Sequence, residues 1–241
     1  QLLDGSWIKS LDDRSKDIPG EVSYYKIGER MVGAFAGYAA PNDFVNERFH
    51  QHPGWRLRGR DIQACCLPTG TRGLFLAWNN VVTRKFDRVM VNLHMNKSCD
   101  LLDVSSYLPY EGKLELDIHQ DISELLVRIP DWVIHDDTCI TRIRDGETTS
   151  IAPDSWLAKH VKLGNARKGD RFIVGFPLRQ IKTQELAIDQ TFETTWRGDD
   201  VVDINPPGKY YPFYSGRKSM ITDQTPMREG PCYRPRKEIY W

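Results

Sequence analysis

The spacing of apolar residues changes near residue 85, and this change limits the folds that the chain can adopt. After Pro68, apolar residues recur at three- and four-residue spacing over roughly four turns, as on one face of a helix. They are Leu74, Phe75, Trp78, Val81 and Val82. Beyond Lys85 the apolar segments are short, and they are β-branched or alternate with polar residues. The sequence therefore predicts a helical part over residues 1–84 and a β part over 85–241.

Turn signals separate the predicted strands of the second part. They lie at Pro109–Gly112, Asp145–Gly146 and Lys168–Asp170. The predicted strand segments read RVMVNLHMN, LLDVSSYL, KLELDI, ELLVRIPDW, TCITRIRD, RFIVGFPL, QTFETTW and DDVVDI. Because no helical pattern lies between them, they predict an antiparallel sandwich or barrel, followed by an irregular tail from Pro206. The expected fold class is mixed and mostly β.

The charge balance narrows the class of partner. Lys plus Arg and Asp plus Glu number 33 each, so no net field attracts nucleic acid or an anionic membrane. No apolar run approaches the ~20 residues that span a bilayer. Seven Trp, ten Tyr and nine Phe suit either sugar stacking or an ordinary sheet core. Both uses are open for a possible stacking platform of Trp132, Trp156, Trp196, Tyr210 and Tyr211. A neutral partner is expected.

The cysteine count indicates a redox environment. Five cysteines are an odd number, which argues against a fully paired secreted framework and favours a reducing, cytoplasmic location. Gln1 opens a polar stretch with neither an initiator Met nor a signal segment, so we expect the start to be a cut or processed end.

Adjacent cysteines at 65 and 66 are the main candidates for chemistry. Neighbouring cysteines do not readily bond to each other, so Cys65 and Cys66 can be free thiols, two metal ligands, or a ligand and a nucleophile. Buried, inert cysteine is the alternative. The Arg-rich loop before the pair and the helix start after it would both lower the pKa of a thiol.

Three polar residues upstream are candidates for substrate binding. His50 and His52 could extend a metal site, or they could line a sugar pocket and form hydrogen bonds with hydroxyl groups. Asn42 suits the second role as well. The Asp and Glu residues show no spacing that marks a general acid and base pair.

Several of these strings occur together in one known family. The CC-x-P turn, VNLHMN, LPYEGKLELDI, LLVRIPDW and KGDRFIVGFPL resemble glycoside hydrolase family 127, the β-L-arabinofuranosidase-like enzymes, over roughly residues 26–205. The resemblance implies the end of an (α/α)6-type helical catalytic domain followed by an antiparallel β-sandwich. It also implies removal of a terminal sugar, such as β-L-arabinofuranose, from an oligosaccharide or glycoconjugate.

The family mechanism assigns roles to the cysteine pair. The resemblance implies a zinc ion held by three Cys and one Glu, with Cys65 as the nucleophile of a retaining reaction and Cys65 and Cys66 at the metal. The E-x-C element of the family does not occur in the 241 residues, so the other ligands and the acid/base Glu are expected elsewhere in a longer parent protein. The alternatives are a non-catalytic carbohydrate-binding or structural β-sandwich, and a module that zinc stabilises. Nothing in the sequence indicates an oligomeric state.

Overall fold

A computed structural model of the chain describes residues 56–57, 60–61, 66–153, 155–187 and 190–206. Side chains are described for 69–153, 155–186 and 191–206. Within these ranges there is one α-helix, α1 (Cys66–Asn79), and a single turn of 3-10 helix at His135–Asp137. The described strands are β1 (Arg56–Leu57), β2 (Arg60–Asp61), β3 (Val82–Lys85), β4 (Arg88–Val91), β5 (Lys97–Ser98), β6 (Leu102–Ser106), β7 (Lys113–Ile118), β8 (Ile122–Arg128), β9 (Cys139–Arg144), β10 (Glu147–Ile151), β11 (Trp156–Leu157), β12 (His160–Ala166), β13 (Arg171–Gly175), β14 (Gln180–Ala187), β15 (Gln190–Arg197) and β16 (Asp200–Asn205).

The strands from β3 to β13 form two sheets. One has six strands in the order β10-β9-β13-β7-β6-β5, and the other has five in the order β11-β12-β8-β4-β3. Their pairings are antiparallel except that β4 runs parallel to β8. Separately, β14, β15 and β16 form a three-stranded sheet, and β1 pairs with β2.

The two larger sheets enclose a shared apolar core, as the alternating pattern requires. In β7, Leu114, Leu116 and Ile118 are buried while the charged residues between them are not. Buried side chains of the five-stranded sheet, such as Val91 and Val127, belong to the same cluster. Packing of two inner faces over one core defines a β-sandwich. The predicted mostly β fold class is confirmed.

Two predicted turns are present with the backbone that they need. Asp145 and Gly146 both have positive φ, at 52° and 83°, and they join β9 to β10. Two consecutive positive φ angles match the twist of a tight hairpin, which explains the Asp-Gly pair. Gly169, with φ 92°, makes the turn before β13.

The helix differs from its prediction at its C-terminal end. It stops at Asn79, where the Asn80 side-chain amide donates to the Leu76 carbonyl over 2.8 Å. Val81 lies beyond it and is fully buried in the sandwich core, and Val82 begins β3. The prediction that these two valines belong to the helix was wrong. Their spacing fits a helix, but Val81 packs in the core between the sheets and Val82 is part of β3.

The described residues fall into two compact units. Residues 76–185 and 194–203 belong to the larger one, which holds both sheets of the sandwich. Residues 56–57, 60–61, 66–75, 186–187, 190–193 and 204–206 belong to the other. Within the described ranges, no helix combines the length and apolarity needed to cross a membrane.

Candidate functional site

The residues predicted to carry the chemistry lie mostly outside the described part of the chain. This applies to Asn42, His50, His52 and Cys65. Cys66 is the first residue of α1, and its side chain is not described. In the ranges that the structure covers, no group of three or more His, Cys, Asp or Glu side chains is placed to hold a metal ion. The substrate-binding, nucleophile and zinc-ligand assignments therefore stay predictions.

The backbone at Cys66 nevertheless provides a setting for a thiolate. The first peptide groups of a helix have N–H groups without helical acceptors, and the helix dipole is positive there. The first turn of α1 contains no acidic residue that would oppose a negative sulfur. A thiolate at this helix start is therefore electrostatically favoured.

The larger unit contains a cavity of about 320 Å³. Polar and charged side chains of both signs line it together with an indole ring. The lining residues are Asn92, Leu93, His94, Arg128, Pro130, Asp131, Trp132 and Asp199. This volume lies at the small end of the range for ligand pockets.

The parallel pair of strands explains how two of the cavity walls meet. Val91 pairs with Val127 at the ends of β4 and β8, so the chain leaves both strands at the same edge of the sheet. The segment from Asn92 and the segment from Arg128 to Trp132 follow directly. Asp199, in the turn between β15 and β16, completes the lining.

His94 is held by one ring nitrogen and a neighbouring ring. Its Nε2 lies 2.7 Å from the carbonyl oxygen of Arg128, and its ring centroid lies 5.4 Å from that of Phe176. Burial lowers the pKa of His94, which outweighs the raising effects of the Arg128 carbonyl and of Asp199. The neutral ring then donates from Nε2, which leaves Nδ1 as an acceptor. Among the described residues this buried Nδ1 has no hydrogen-bond partner.

Trp132 is fixed in the cavity wall by contacts on different sides. Its Nε1 donates to Asp199 Oδ1 over 2.6 Å, and its ring meets Phe176 edge to face with centroids 5.6 Å apart. Gly198 lies against the indole with φ 59°, and a Cβ atom there would come within 3.0 Å of the ring and of Leu178. The close approach and the positive φ both require glycine at 198.

The charges around the cavity nearly balance. Arg128 contributes one positive charge, and Asp131 and Asp199 contribute two negative ones. Lys159, which does not line the cavity, forms an ion pair with Asp131 and lowers the pKa of that carboxyl. Arg128 Nη2 lies 3.7 Å from Asp131 Oδ1. With His94 neutral, the lining favours an uncharged ligand over an anion.

Asn92 lines the cavity, but its side-chain amide forms hydrogen bonds with other residues of the protein. Its side-chain amide donates to the Asn80 carbonyl and to Thr83 Oγ1, each over 2.9 Å. Its Oδ1 lies 3.1 Å from His160 Nε2. Burial lowers the pKa of His160, so its neutral ring donates from Nε2 to this oxygen. Asn92 therefore supports the wall.

The tryptophans of the possible stacking platform have separate positions, and Tyr210 and Tyr211 lie outside the described residues. Trp132 lines the cavity, whereas Trp156 stacks on His135 with centroids 3.8 Å apart and Trp196 donates to Thr183 Oγ1. Sequence reasoning did not single out His94 or Asp199 as site residues. The strings VNLHMN and RIPDW contain His94 and Trp132, so both stood in segments already noted for the resemblance.

Comparison with known proteins gives structural neighbours but no sequence match. No protein-family model and no curated protein matches the chain. Among the similar solved structures is Ara127N, a GH127 β-L-arabinofuranosidase from Geobacillus stearothermophilus T6, at 20% identity over 60% of this chain and 25% of that one, with a TM-score of 0.43. The GH127 β-arabinofuranosidase BT3674 is 21% identical over 61% of this chain and 26% of its own, with a TM-score of 0.45.

A third neighbour, described as a glycoside hydrolase, is 18% identical over 57% of this chain and 25% of its own, with a TM-score of 0.44. The chain spans about a quarter of the length of these three solved chains. Likeness at this level carries no argument about function. Two of the three neighbours carry the name of the family that the sequence resembles.

Proposed function

We propose that the chain is part of a glycoside hydrolase that removes a terminal sugar, such as β-L-arabinofuranose, by a retaining mechanism with a cysteine nucleophile. The observation that carries the proposal is the position of the CC-x-P sequence at a helix start, since α1 begins at Cys66. The ordered set of strings that resembles family 127 supports it. A β-sandwich follows the helix, as the resemblance implies.

In the proposed reaction, the Cys65 thiolate attacks the anomeric carbon of the terminal sugar. A carbon–sulfur bond forms as the glycosidic carbon–oxygen bond breaks, and the departing oxygen takes a proton from a carboxylic acid. The resulting carboxylate then takes a proton from water, which displaces sulfur from the anomeric carbon. Two displacements at the same carbon retain its configuration. We propose that this carboxyl group lies in the remainder of the parent protein.

Zinc is part of the same proposal. Cys65 and Cys66 would supply two thiolate ligands, and the remaining ligands would come from elsewhere in the parent. A bound zinc ion keeps its thiolate ligands deprotonated at neutral pH. The chain's own contribution is the helix start, where the dipole favours negative sulfur at the same pH.

Replacement of Cys65 tests the nucleophile. In the parent protein, Cys65→Ser should reduce cleavage of an aryl β-L-arabinofuranoside to the uncatalysed background, because a serine hydroxyl is not ionised at neutral pH. Cys139→Ser is the matched control: Cys139 is an exposed free cysteine on β9, and its loss should leave kcat unchanged. Near-normal turnover by Cys65→Ser would remove this residue from the mechanism.

The stereochemistry provides a second readout. Proton NMR of the first product should show the same anomeric configuration as the substrate. An inverted first product would contradict the covalent step even if Cys65 proved essential.

A further inference from the structure

We propose that the cavity beside Trp132 binds a neutral sugar residue, as a site on the β-sandwich. The inference deepens the proposed function by giving the sandwich a part in substrate binding. It rests on that function only for the choice of the first sugar probe. The size, lining residues, charge and rigidity of the cavity support the remainder of the proposal.

The cavity has the dimensions and surface chemistry that a sugar ring requires. Its volume of about 320 Å³ admits a single monosaccharide unit. A sugar has apolar C–H faces and a rim of hydroxyl groups that both donate and accept. Trp132 offers an aromatic surface, Arg128 offers planar donors, and Asp131 and Asp199 offer acceptors.

The charges of the lining distinguish a neutral sugar from an acidic one. Two carboxylates face one guanidinium, while His94 is neutral because burial lowers its pKa. Because Lys159 also pairs with Asp131, the charges around the cavity nearly balance, so an anionic ligand gains no net attraction there. Hydroxyl groups meet both signs favourably, because they can donate to carboxylates and accept from the guanidinium.

The cavity wall is organised before any ligand arrives. Trp132 is held at its Nε1 by Asp199, at its edge by Phe176 and against Gly198. A fixed aromatic ring loses little conformational freedom when a ligand binds, so more of the contact energy appears as affinity.

His94 adds an independent observation. It lines the cavity, and its buried Nδ1 has no hydrogen-bond partner among the described residues. Buried polar atoms are nearly always paired, so the unpaired Nδ1 of this cavity-lining residue is an acceptor that the described residues leave unused. A hydroxyl group is a donor of the kind that this acceptor can pair with once a ligand adjusts the surrounding side chains.

Ligand-observed NMR on the 241-residue chain tests the proposal. The probes are L-arabinose, D-galactose and D-glucose, with D-galacturonate as the acidic comparison. We expect saturable binding of at least one neutral sugar with a Kd of about 1–10 mM, as its small number of atoms allows. D-galacturonate should bind more weakly than D-galactose, which has the same ring without the carboxylate.

Two cavity variants and one control locate the site. Trp132→Phe removes the Nε1 donor and part of the ring, and it should weaken binding at least about tenfold. Asp199→Asn keeps an acceptor for Trp132 but removes a negative charge, so it should narrow the difference between D-galactose and D-galacturonate. Trp156→Phe, which alters a tryptophan stacked on His135 outside the lining, should bind like the unmodified chain.

Several results would overturn the site. One is no saturable binding of any of the three neutral sugars up to about 50 mM. The others are unchanged affinity in Trp132→Phe, an unchanged difference between D-galactose and D-galacturonate in Asp199→Asn, and equal losses in Trp132→Phe and Trp156→Phe. Circular dichroism of each variant shows whether its fold is intact, and Asp199→Asn still tests the site if Trp132→Phe does not fold. Hydrolysis is measured on the parent with Cys65→Ser, so the two proposals can fail separately.

Discussion

Asp170 and His94 are two polar side chains of the same sandwich with opposite surroundings. Asp170 is only 2% exposed, and both of its oxygens are paired: Arg144 donates to them over 2.7 and 2.6 Å, and the Arg167 amide donates over 2.8 Å. His94 has a partner for Nε2, but its buried Nδ1 has none among the described residues. Among the described residues, the hydrogen bonding of Asp170 is complete and that of His94 is not.

The difference separates polar groups that serve folding from those available to a ligand. Asp170 closes the turn through Gly169 and fixes it to β9 by way of Arg144, so its charge acts on structure. The pKa of Asp170 is lowered chiefly by its hydrogen bonds with Arg144, as expected for a paired carboxylate. His94 is neutral, lines a cavity and has an acceptor that no described residue uses, which suits a binding site.

Replacing Asp170, whose hydrogen bonds are complete, should have the largest effect on stability. Asp170→Ala leaves Arg144 and the Arg167 amide without their acceptor, and we expect the free energy of unfolding to fall by about 3 kcal/mol. Urea denaturation of the chain measures it. The matched control is Asp117→Ala, which breaks an ion pair with Arg171 on the exposed face of β7 and should cost less than about 1 kcal/mol. Equal losses would mean that the Asp170 network does not stabilise the turn.

Replacing His94 should cost much less. His94→Phe loses the bond to the Arg128 carbonyl, but it also removes the unpaired Nδ1 and keeps the ring contact with Phe176, so we expect a loss under about 1 kcal/mol. The same urea experiment applies. A loss as large as that of Asp170→Ala would show that the polar atoms of His94 stabilise the fold. It would contradict the difference in role between His94 and Asp170.

The pH dependence should be the smallest effect, and its sign follows from burial. The folded pKa of His94 lies below its ordinary value of 6.5, so the unfolded chain takes up the proton first as the pH falls. The stability that depends on a neutral His94 is therefore fully present above pH 6.5. It is lost progressively as the pH falls from 6.5 towards the folded pKa. The Tm should therefore drop between about pH 7.5 and pH 5.5, less steeply in His94→Phe.

His160 also contributes to the pH dependence of the Tm. Its pKa is also lowered by burial, so His94→Phe should keep the part of the slope that His160 causes. The carboxyl groups with lowered pKa, including Asp170, act below this pH window. Identical slopes in the two proteins would contradict a neutral, buried His94.

Much of the fold was predictable, because the alternation of apolar and polar residues along a strand shows which side chains are buried. The segment KLELDI was predicted as a strand and is β7, and the Asp145–Gly146 turn joins two strands as expected. The end of α1 was not predictable from spacing, since Val81 and Val82 satisfy helical and strand patterns equally. The parallel pairing of β4 with β8 has no local sequence signal, because it joins distant segments.

The cavity was less predictable than the fold for the same reason. Trp132 was noted as either packing or stacking, and the hydrogen bond to Asp199 that fixes it joins residues 67 positions apart. His94 stands in VNLHMN, where nothing in the sequence says that one ring nitrogen lacks a partner. The cysteine pair, by contrast, could be recognised from adjacent residues, although Cys65 lies outside the described part of the chain.

Sugar binding in this cavity is tested most directly by nitrogen-15 NMR of the histidine ring signals of the labelled chain while a neutral sugar is added. At pH 7 we expect a neutral His94 protonated at Nε2, whose ring signals move saturably with L-arabinose or D-galactose. The signals of His119 and His135, which do not line the cavity, should stay in place. A charged His94, or a ring that does not respond while sugar binding saturates, would contradict the claim that this cavity holds the sugar.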